Sequence, residues 1–279
     1  FLFLLFWSSG FAFAKLGLAH AAPLTCLVLR YVAVLAALVP VLAVLRPVWP
    51  DRRTLAHAAV VGCLIQALYF GLAYVAMARD IAAGAVALVV SLQPILVGLL
   101  APGLVGERVS LLRWLGLGLG LVGAALVILA RAAVETVDLW AVTAAAGALL
   151  GITAGTLYEK RFGVAAHPLT LATSQFAAGL VALFPLAWWL EGLRFEPHPE
   201  LWLSIGYLVV ANSLISLTLL LAMIRHGEVS RVSALFFLVP PTAALIAWAV
   251  IGEVMPALAW VGMAVAAIGV AIAARSSKA

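Results

Sequence analysis

Charge is what this sequence has least of. Asp, Glu, Lys and Arg together supply 10% of the 279 residues, while hydrophobic residues supply 66%. A water-soluble domain carries about a quarter charged residues. No soluble fold can hide so much apolar surface, so lipid must cover much of it. The few bases outnumber the acids and give a formal net charge of +5. They stand singly or in twos between apolar runs and form no basic face with interleaved aromatics, which argues against a nucleic-acid partner. Cysteine is scarce as well. Cys26 and Cys63 lie in apolar runs without CxxC or Cys/His spacing, which reads as small buried hydrophobes and not as a disulfide framework or metal site. The histidines, His20, His57, His167, His198 and His226, lie at run ends or in connectors. A membrane-embedded enzyme would need a nucleophile, His/Asp pair or metal set within the bilayer, so the chain is expected not to be an enzyme and to need no cofactor or metal. No Asp or Glu falls in the middle of any apolar run, Glu159 at one end being the nearest. Proton-coupled carriers usually keep an intramembrane carboxylate or histidine. A solute gradient, or coupling through groups not identifiable here, is the expected driving force. Neither Met nor a basic leader precedes the first run, which opens at Phe1, so the native start is expected to lie upstream.

What is present is a series of ten apolar runs, near 1–19, 24–45, 55–77, 81–103, 111–130, 139–158, 168–190, 201–223, 229–251 and 257–274. Each approaches the ~20 residues that a helix needs to cross ~30 Å of hydrocarbon. The runs are continuously apolar and not alternating, which disfavours strands. An all-α integral membrane protein with ten transmembrane helices is the expected class. Placing the N-terminus in the cytoplasm puts Arg46, Arg52, Arg53, Arg108, Arg113, Lys160, Arg161, Arg225, Arg231, Arg275 and Lys278 inside, 11 of the 16 basic residues. The connectors are short enough for the positive-inside rule to apply, so both termini are expected in the cytoplasm.

The two halves of the sequence match. At an offset of 146, Pro94 meets Pro240, Gly106-Glu107 meets Gly252-Glu253, Trp114 meets Trp260, Gly116 meets Gly262 and Gly123 meets Gly269. At 145, Pro23-Leu24-Thr25 meets Pro168-Leu169-Thr170 and Lys15 meets Lys160. Aligned Pro, Trp, Gly and Glu at constant spacing mark a duplication, dividing the chain into repeats at 1–134 and 135–279. Five spans per repeat is an odd number, so the second repeat must enter the membrane from the opposite side. This gives the inverted architecture of many secondary transporters. The paired patterns Pro94…Gly106-Glu107…Trp114-x-Gly116…Gly123 and Pro240…Gly252-Glu253…Trp260-x-Gly262…Gly269 resemble the drug/metabolite transporter superfamily, specifically its EamA-type members with a five-plus-five inverted repeat. Within it, the chain looks most like the bacterial aromatic amino-acid exporters. The resemblance implies a bacterial inner-membrane exporter of small metabolites, with aromatic or other neutral amino acids as substrate class. A carrier of a different small solute, such as a cationic drug, is the alternative, and a channel or scaffold a more distant one.

Polar positions deep in the runs are candidates for the pathway, because in lipid they need a partner or water. Gln66, Tyr69 and Phe70 share a helical face at i, i+3 and i+4. Asn212, the equivalent of Gln66, shares one with Ser216. Two amides at matching depths predict a central polar chamber, with interhelical hydrogen bonding as the alternative. Ser91 and Gln93 accompany Pro94 in the fourth run, and Phe236 and Phe237 accompany Pro240 and Pro241 in the ninth. These prolines are expected to kink their helices near the midplane, as hinges or as static packing features. Ser8 and Thr153 match at offset 145. Trp7, Phe11, Tyr69, Tyr74, Phe236 and Phe237 offer flat surfaces for an aromatic substrate, whereas Trp188, Trp189 and Trp202 read as interfacial anchors. Lys15 and Arg30 lie inside runs, and either snorkel to the surface or pair with a substrate carboxylate or outer gate. Glycine stripes at Gly116-x-x-x-Gly120 and Gly147-x-x-x-Gly151-x-x-x-Gly155 serve close helix packing within a monomer.

Overall fold

The computed structural model describes residues 2–105, 111–132, 138–162, 166–216, 219, 239–252 and 255–275. Phe236 and Phe237 lie outside the described residues, as do Gly106, Glu107, Arg108, Arg225, Arg231, Glu253 and Lys278. The described residues are helical and form no strand; a single isolated bridge joins Ala21 to Phe195. The helices are α1 (Leu2–Leu18), α2 (Pro23–Leu45), α3 (Arg52–Ala78), α4 (Ala83–Val90), α5 (Gln93–Val105), α6 (Leu111–Ala132), α7 (Leu139–Phe162), α8 (Pro168–Glu191), α9 (Pro199–Ile215), α10 (Val239–Ile251) and α11 (Ala257–Arg275). Among the described residues, five stretches are long and apolar enough to cross a membrane: α2, α3, Ala83–Leu100, Leu139–Glu159 and α8. Helices α4 and α5 supply the third of these. A turn at Ser91–Leu92 interrupts it immediately before Gln93 and Pro94.

Helix starts follow from local chemistry. Pro23, Pro168 and Pro199 open α2, α8 and α9, where a residue without an N–H costs nothing. His167 and His198 accept hydrogen bonds from Leu169 N and Glu200 N, and Asp51 accepts one from Thr54 N at the start of α3. Ala22, before α2, has no side chain to offer. The Glu191 carboxylate at the end of α8 fills in, accepting from Leu24 N at 2.9 Å and from Thr25 N and Oγ1 at 2.7 Å. The end of α10 turns at Gly252 with φ +66°, a left-handed conformation that glycine adopts without steric cost.

Packing direction is readable from contacts. A Cβ on Gly123 would lie 2.5 Å from the Gly262 carbonyl, and one on Gly269 would lie 2.6 Å from the Gly116 carbonyl. Residue numbers rise on α6 as they fall on α11, so these two helices run antiparallel, backbone against backbone along glycine stripes. Helices α2 and α8 also run antiparallel: Thr25 meets Glu191, while Tyr31 lies against Phe176, ring centroids 5.5 Å apart. Helix α1 packs on α9 and α10, and α7 packs on α3 and α5. Most of the buried apolar side chains described join one cluster spanning α1 to α4 and α7 to α10, while Val127, Met263 and Ala266 lie in a second at the α6–α11 seam. The three tryptophans expected at interfaces, Trp188, Trp189 and Trp202, are exposed.

Candidate functional site

Among the described residues three stretches are π-helical: Ala187–Glu191 ends α8, while Cys63–Tyr69 and Leu208–Ile215 lie within α3 and α9. The last two coincide to within one residue at the offset of 146 that relates the sequence halves. Gln66 and Asn212 sit inside them. A π turn adds a residue to the helical circuit, changes which side chains share a face, and is frequent at functional sites. Each side chain lies against a neighbouring glycine: a Cβ on Gly10 of α1 would be 2.5 Å from Asn212 Nδ2, and one on Gly179 of α8 would collide with the Gln66 Cβ.

The π stretch in α9 directs Asn212 and Ser213 to one partner, the Arg30 guanidinium of α2. Arg30 Nη2 donates to Asn212 Oδ1 at 2.9 Å and to Ser213 Oγ at 3.2 Å, and Nη1 reaches Tyr74 Oη of α3 at 3.4 Å. The guanidinium carbon lies 5.0 Å from the centre of the Phe70 ring, a cation–π distance. Asn212 completes the junction by donating to the carbonyls of Phe6 at 3.3 Å and Trp7 at 3.5 Å on α1. Four helices therefore meet at one cation. Arg30 stands seven residues into α2, roughly 10 Å along its axis, and is 3% exposed. Snorkelling, one of the two expectations for Arg30, does not occur. Its side chain is held inward by neutral acceptors on α3 and α9. A guanidinium at the centre of a membrane helix costs about 3 kcal/mol on insertion scales, a cost that a buried position must offset locally.

Among the described residues, the buried side-chain polar atoms without a hydrogen-bond partner are Arg30 Nε, Gln66 Oε1 and Ser8 Oγ. Gln66 is tied in through its backbone instead, its carbonyl accepting from Tyr31 Oη at 2.7 Å. Tyr69 is buried beside Phe70, ring centroids 4.5 Å apart. Of the candidates read from sequence, Tyr74, Phe70 and Asn212 thus converge on Arg30, and Trp7 joins them through its carbonyl. Other hydroxyls are spent on their own helices: Ser91 on Leu88 O at 2.7 Å, Thr153 on Leu149 O at 2.6 Å, and Ser216 on Ala211 O at 2.9 Å. Gln93 Nε2 donates to Thr156 Oγ1 of α7 at 3.0 Å, an interhelical tie. Pro94 falls in the first turn of α5, just past the helix break, and the buried Pro240 and its neighbour Pro241 open the described part of α10.

Ser213 and Tyr207 were not singled out by sequence. Tyr207 stacks on Phe13 with centroids 3.7 Å apart and bonds Ser9 Oγ at 2.8 Å, sealing α1 to α9. Lys15 Nζ donates to Ile81 O at 3.2 Å. Metal-ligand types come within reach of one another at His20, His198 and Glu200. His198 Nδ1 already caps α9, and His20 Nε2 bonds Glu200 at 2.8 Å, so the group reads as a latch between connectors. A cavity of about 30 Å³ beside His57, Tyr158 and Glu159 has room for a water or two and not for an organic solute.

Comparison with known proteins gives consistent results. The profile of the EamA-like transporter family matches residues 1–129 and 139–275. The uncharacterised inner membrane transporter YedA of Escherichia coli K12 is 24% identical over 268 residues, covering 95% of this chain and 86% of YedA. The uncharacterised transporter YvbV of Bacillus subtilis is 27% identical over 177 residues, 62% of this chain and 56% of YvbV. A solved crystal structure superposes with a TM-score of 0.68 at 20% identity, covering all of this chain and 97% of the other, a likeness of fold.

Proposed function

The chain belongs to the EamA-like transporter family of the drug/metabolite transporter superfamily, and from that premise we propose a secondary carrier working by alternating access. Its two repeats, 1–134 and 135–279, form a ten-helix inverted pair. The chain resides in a bacterial inner membrane with both termini cytoplasmic, acts as a monomer, and exports small metabolites of the aromatic or other neutral amino-acid class. The solute binds near the bilayer midplane, beside Gln66 and Asn212.

One observation carries the reading. Helices at equivalent places in the two sequence halves, α6 with α11 and α2 with α8, pack antiparallel, and the contact of Gly116 with Gly269 becomes that of Gly262 with Gly123 when the halves are exchanged. An axis lying in the membrane plane produces this reciprocity. The pairing of α1 with α9 and α10, against that of α7 with α3 and α5, follows the same exchange. Two halves of similar structure and opposite direction can trade conformations, giving inward-open and outward-open states of comparable energy.

Counterflow in proteoliposomes tests the substrate class. Exchange of labelled Phe, Trp, Tyr, Thr or Met above empty vesicles is expected, and its absence for all five sinks that class. Exchange of a cationic drug in its place would favour the alternative that the same fold supports.

A further inference from the structure

We infer that Arg30 is the anchor for an anionic group of the transported solute, a carboxylate in the class proposed above. The inference rests on the carrier reading and narrows it: solutes lacking an anionic group are poor ligands.

The argument begins with charge. Arginine stays protonated in proteins and carries five donors in a rigid fork. Arg30 is buried, and its described partners, Asn212, Ser213, Tyr74 and the face of Phe70, are all neutral. Among the described residues no carboxylate pairs with it, and the tyrosine it bonds, Tyr74, is neutral as a phenol. The sequence places no Asp or Glu in the middle of any apolar run. The Glu191 carboxylate, which does reach α2, is committed to its first turn through three hydrogen bonds. Helix α2 therefore carries a full positive charge into the membrane without a described counter-ion, and the counter-charge has to come from elsewhere.

The unsatisfied edge of the guanidinium states what that counter-charge is. Nε and Nη2 form one flat edge whose two parallel N–H groups match the two oxygens of a carboxylate. On that edge Nε is enclosed and has no acceptor among the described residues, while Nη2 rests on the neutral oxygens of Asn212 and Ser213. A carboxylate arriving there satisfies the orphan donor, replaces one neutral acceptor and neutralises the charge. The displaced amide and hydroxyl belong to the π stretch of α9, so binding acts directly on the contact between α2 and α9. A purely structural clamp would gain nothing from leaving Nε empty.

Thermal unfolding of the full-length protein in detergent, with added L-phenylalanine, L-tryptophan, L-threonine or L-methionine and with the carboxamide of each, tests the assignment. At least one free acid should raise the melting temperature, with a half-saturating concentration about tenfold or more below that of its amide. Arg30→Gln should abolish the difference, and Arg30→Lys, which keeps the charge and loses the fork, should retain a weakened preference for the acid. Equal response to acid and amide, an acid response surviving in Arg30→Gln, or no response to any acid would overturn it. If Arg30→Gln fails to fold, the comparison of acid with amide on the natural sequence decides alone. Counterflow keeps the two readings apart. Exchange of a solute without an anionic group, with no acid preference, would remove the anchor and leave the carrier. Acid-selective stabilisation without any counterflow would remove the carrier and leave the anchor.

Discussion

A hydroxyl within a lipid-facing helix has a short way home: the carbonyl one turn back is in reach, so Ser or Thr can satisfy itself without leaving its helix. Ser91, Thr153 and Ser216 do so. An amide cannot fold back as easily, and Asn212 bridges Arg30 to α1 instead. The sequence marks all four residues as polar in apolar surroundings and does not tell the two behaviours apart, because the difference lies in side-chain reach and in what the neighbouring helix presents. Arg30 was visible as a lone base in an apolar run; its neutral clasp was not, since Ser213 and Tyr74 come to it from positions 183 and 44 residues away. Asn212→Ala should destabilise the protein by about 1–3 kcal/mol, the cost of stripping acceptors from a buried donor. Ser216→Ala should cost under about 1 kcal/mol. Unfolding in detergent compares them directly, and equal losses would count against the clasp. In counterflow, Gln66→Ala and Asn212→Ala should each lose exchange while remaining folded; full activity in both would remove the two amides from the pathway.

At the scale of elements, helix position was legible where the chain is described, because bilayer thickness sets the length of an apolar run; the run 81–103 divides into α4 and α5, and the runs 201–223 and 229–251 are described only in part. The interruptions were less legible. One extra residue in a helical circuit leaves no mark in composition, so the paired π stretches appear only in coordinates. The faces drawn for α-helical spacing at Gln66, Tyr69 and Phe70 shift accordingly, and it is Phe70 and Tyr74 that share Arg30. The kink expected at Pro94 takes the form of a turn at Ser91–Leu92 with the proline in the next first turn, where its missing N–H is harmless. A further paired signal, Pro40 inside α2 and Pro185 inside α8 at offset 145, went unread in the sequence. Close helix contact gives a sharp test. Gly123→Ala puts a methyl against the backbone of α11 and should lower stability by about 1–3 kcal/mol, as overpacking does. Gly118→Ala, with nothing within 4 Å, should be neutral or slightly stabilising. Unfolding of both variants checks the seam, and a harmless Gly123→Ala would contradict it.

The connectors carry a pH dependence. Arg79 Nη1 bonds Asp138 Oδ2 at 2.8 Å, joining the end of α3 to the start of α7. The hydrogen bond from Arg79, with help from the backbone N–H of Trp140, holds the Asp138 carboxyl below its ordinary range. A lowered carboxylate pKa contributes stability that is present above the unfolded value and is lost as pH falls through the folded one. The melting temperature of the natural sequence should therefore drop on acidification more than that of Arg79→Ala, with the two converging at the acid end; parallel curves would mean the pair contributes nothing.

On the scale of the whole molecule, the duplication explains the most with the least. Proline, tryptophan and glycine matched at one offset predict two related halves, and span parity predicts their opposite sense; the antiparallel meeting of α6 with α11 and of α2 with α8 is the feature on which that proposal rests. The centre of the pathway was less legible, because a binding site is made of partners brought together across helices, and Phe236 and Phe237 lie outside the described residues. The distribution of bases predicts that both termini face the cytoplasm. A cysteine placed at either end of a Cys63→Ser variant should react with an impermeant thiol reagent only after the inner face is opened, and labelling from outside would reverse the topology.

Trans-acceleration bears most directly on the central claim, that inverted halves alternate around one site. Vesicles containing the protein would be loaded with a labelled solute that gives counterflow, and efflux followed with and without the unlabelled solute outside. The account predicts efflux that saturates with internal concentration and quickens when solute is added on the far side, because the loaded carrier reorients for a return trip. Efflux that rises linearly and ignores the far side would identify a channel and contradict it.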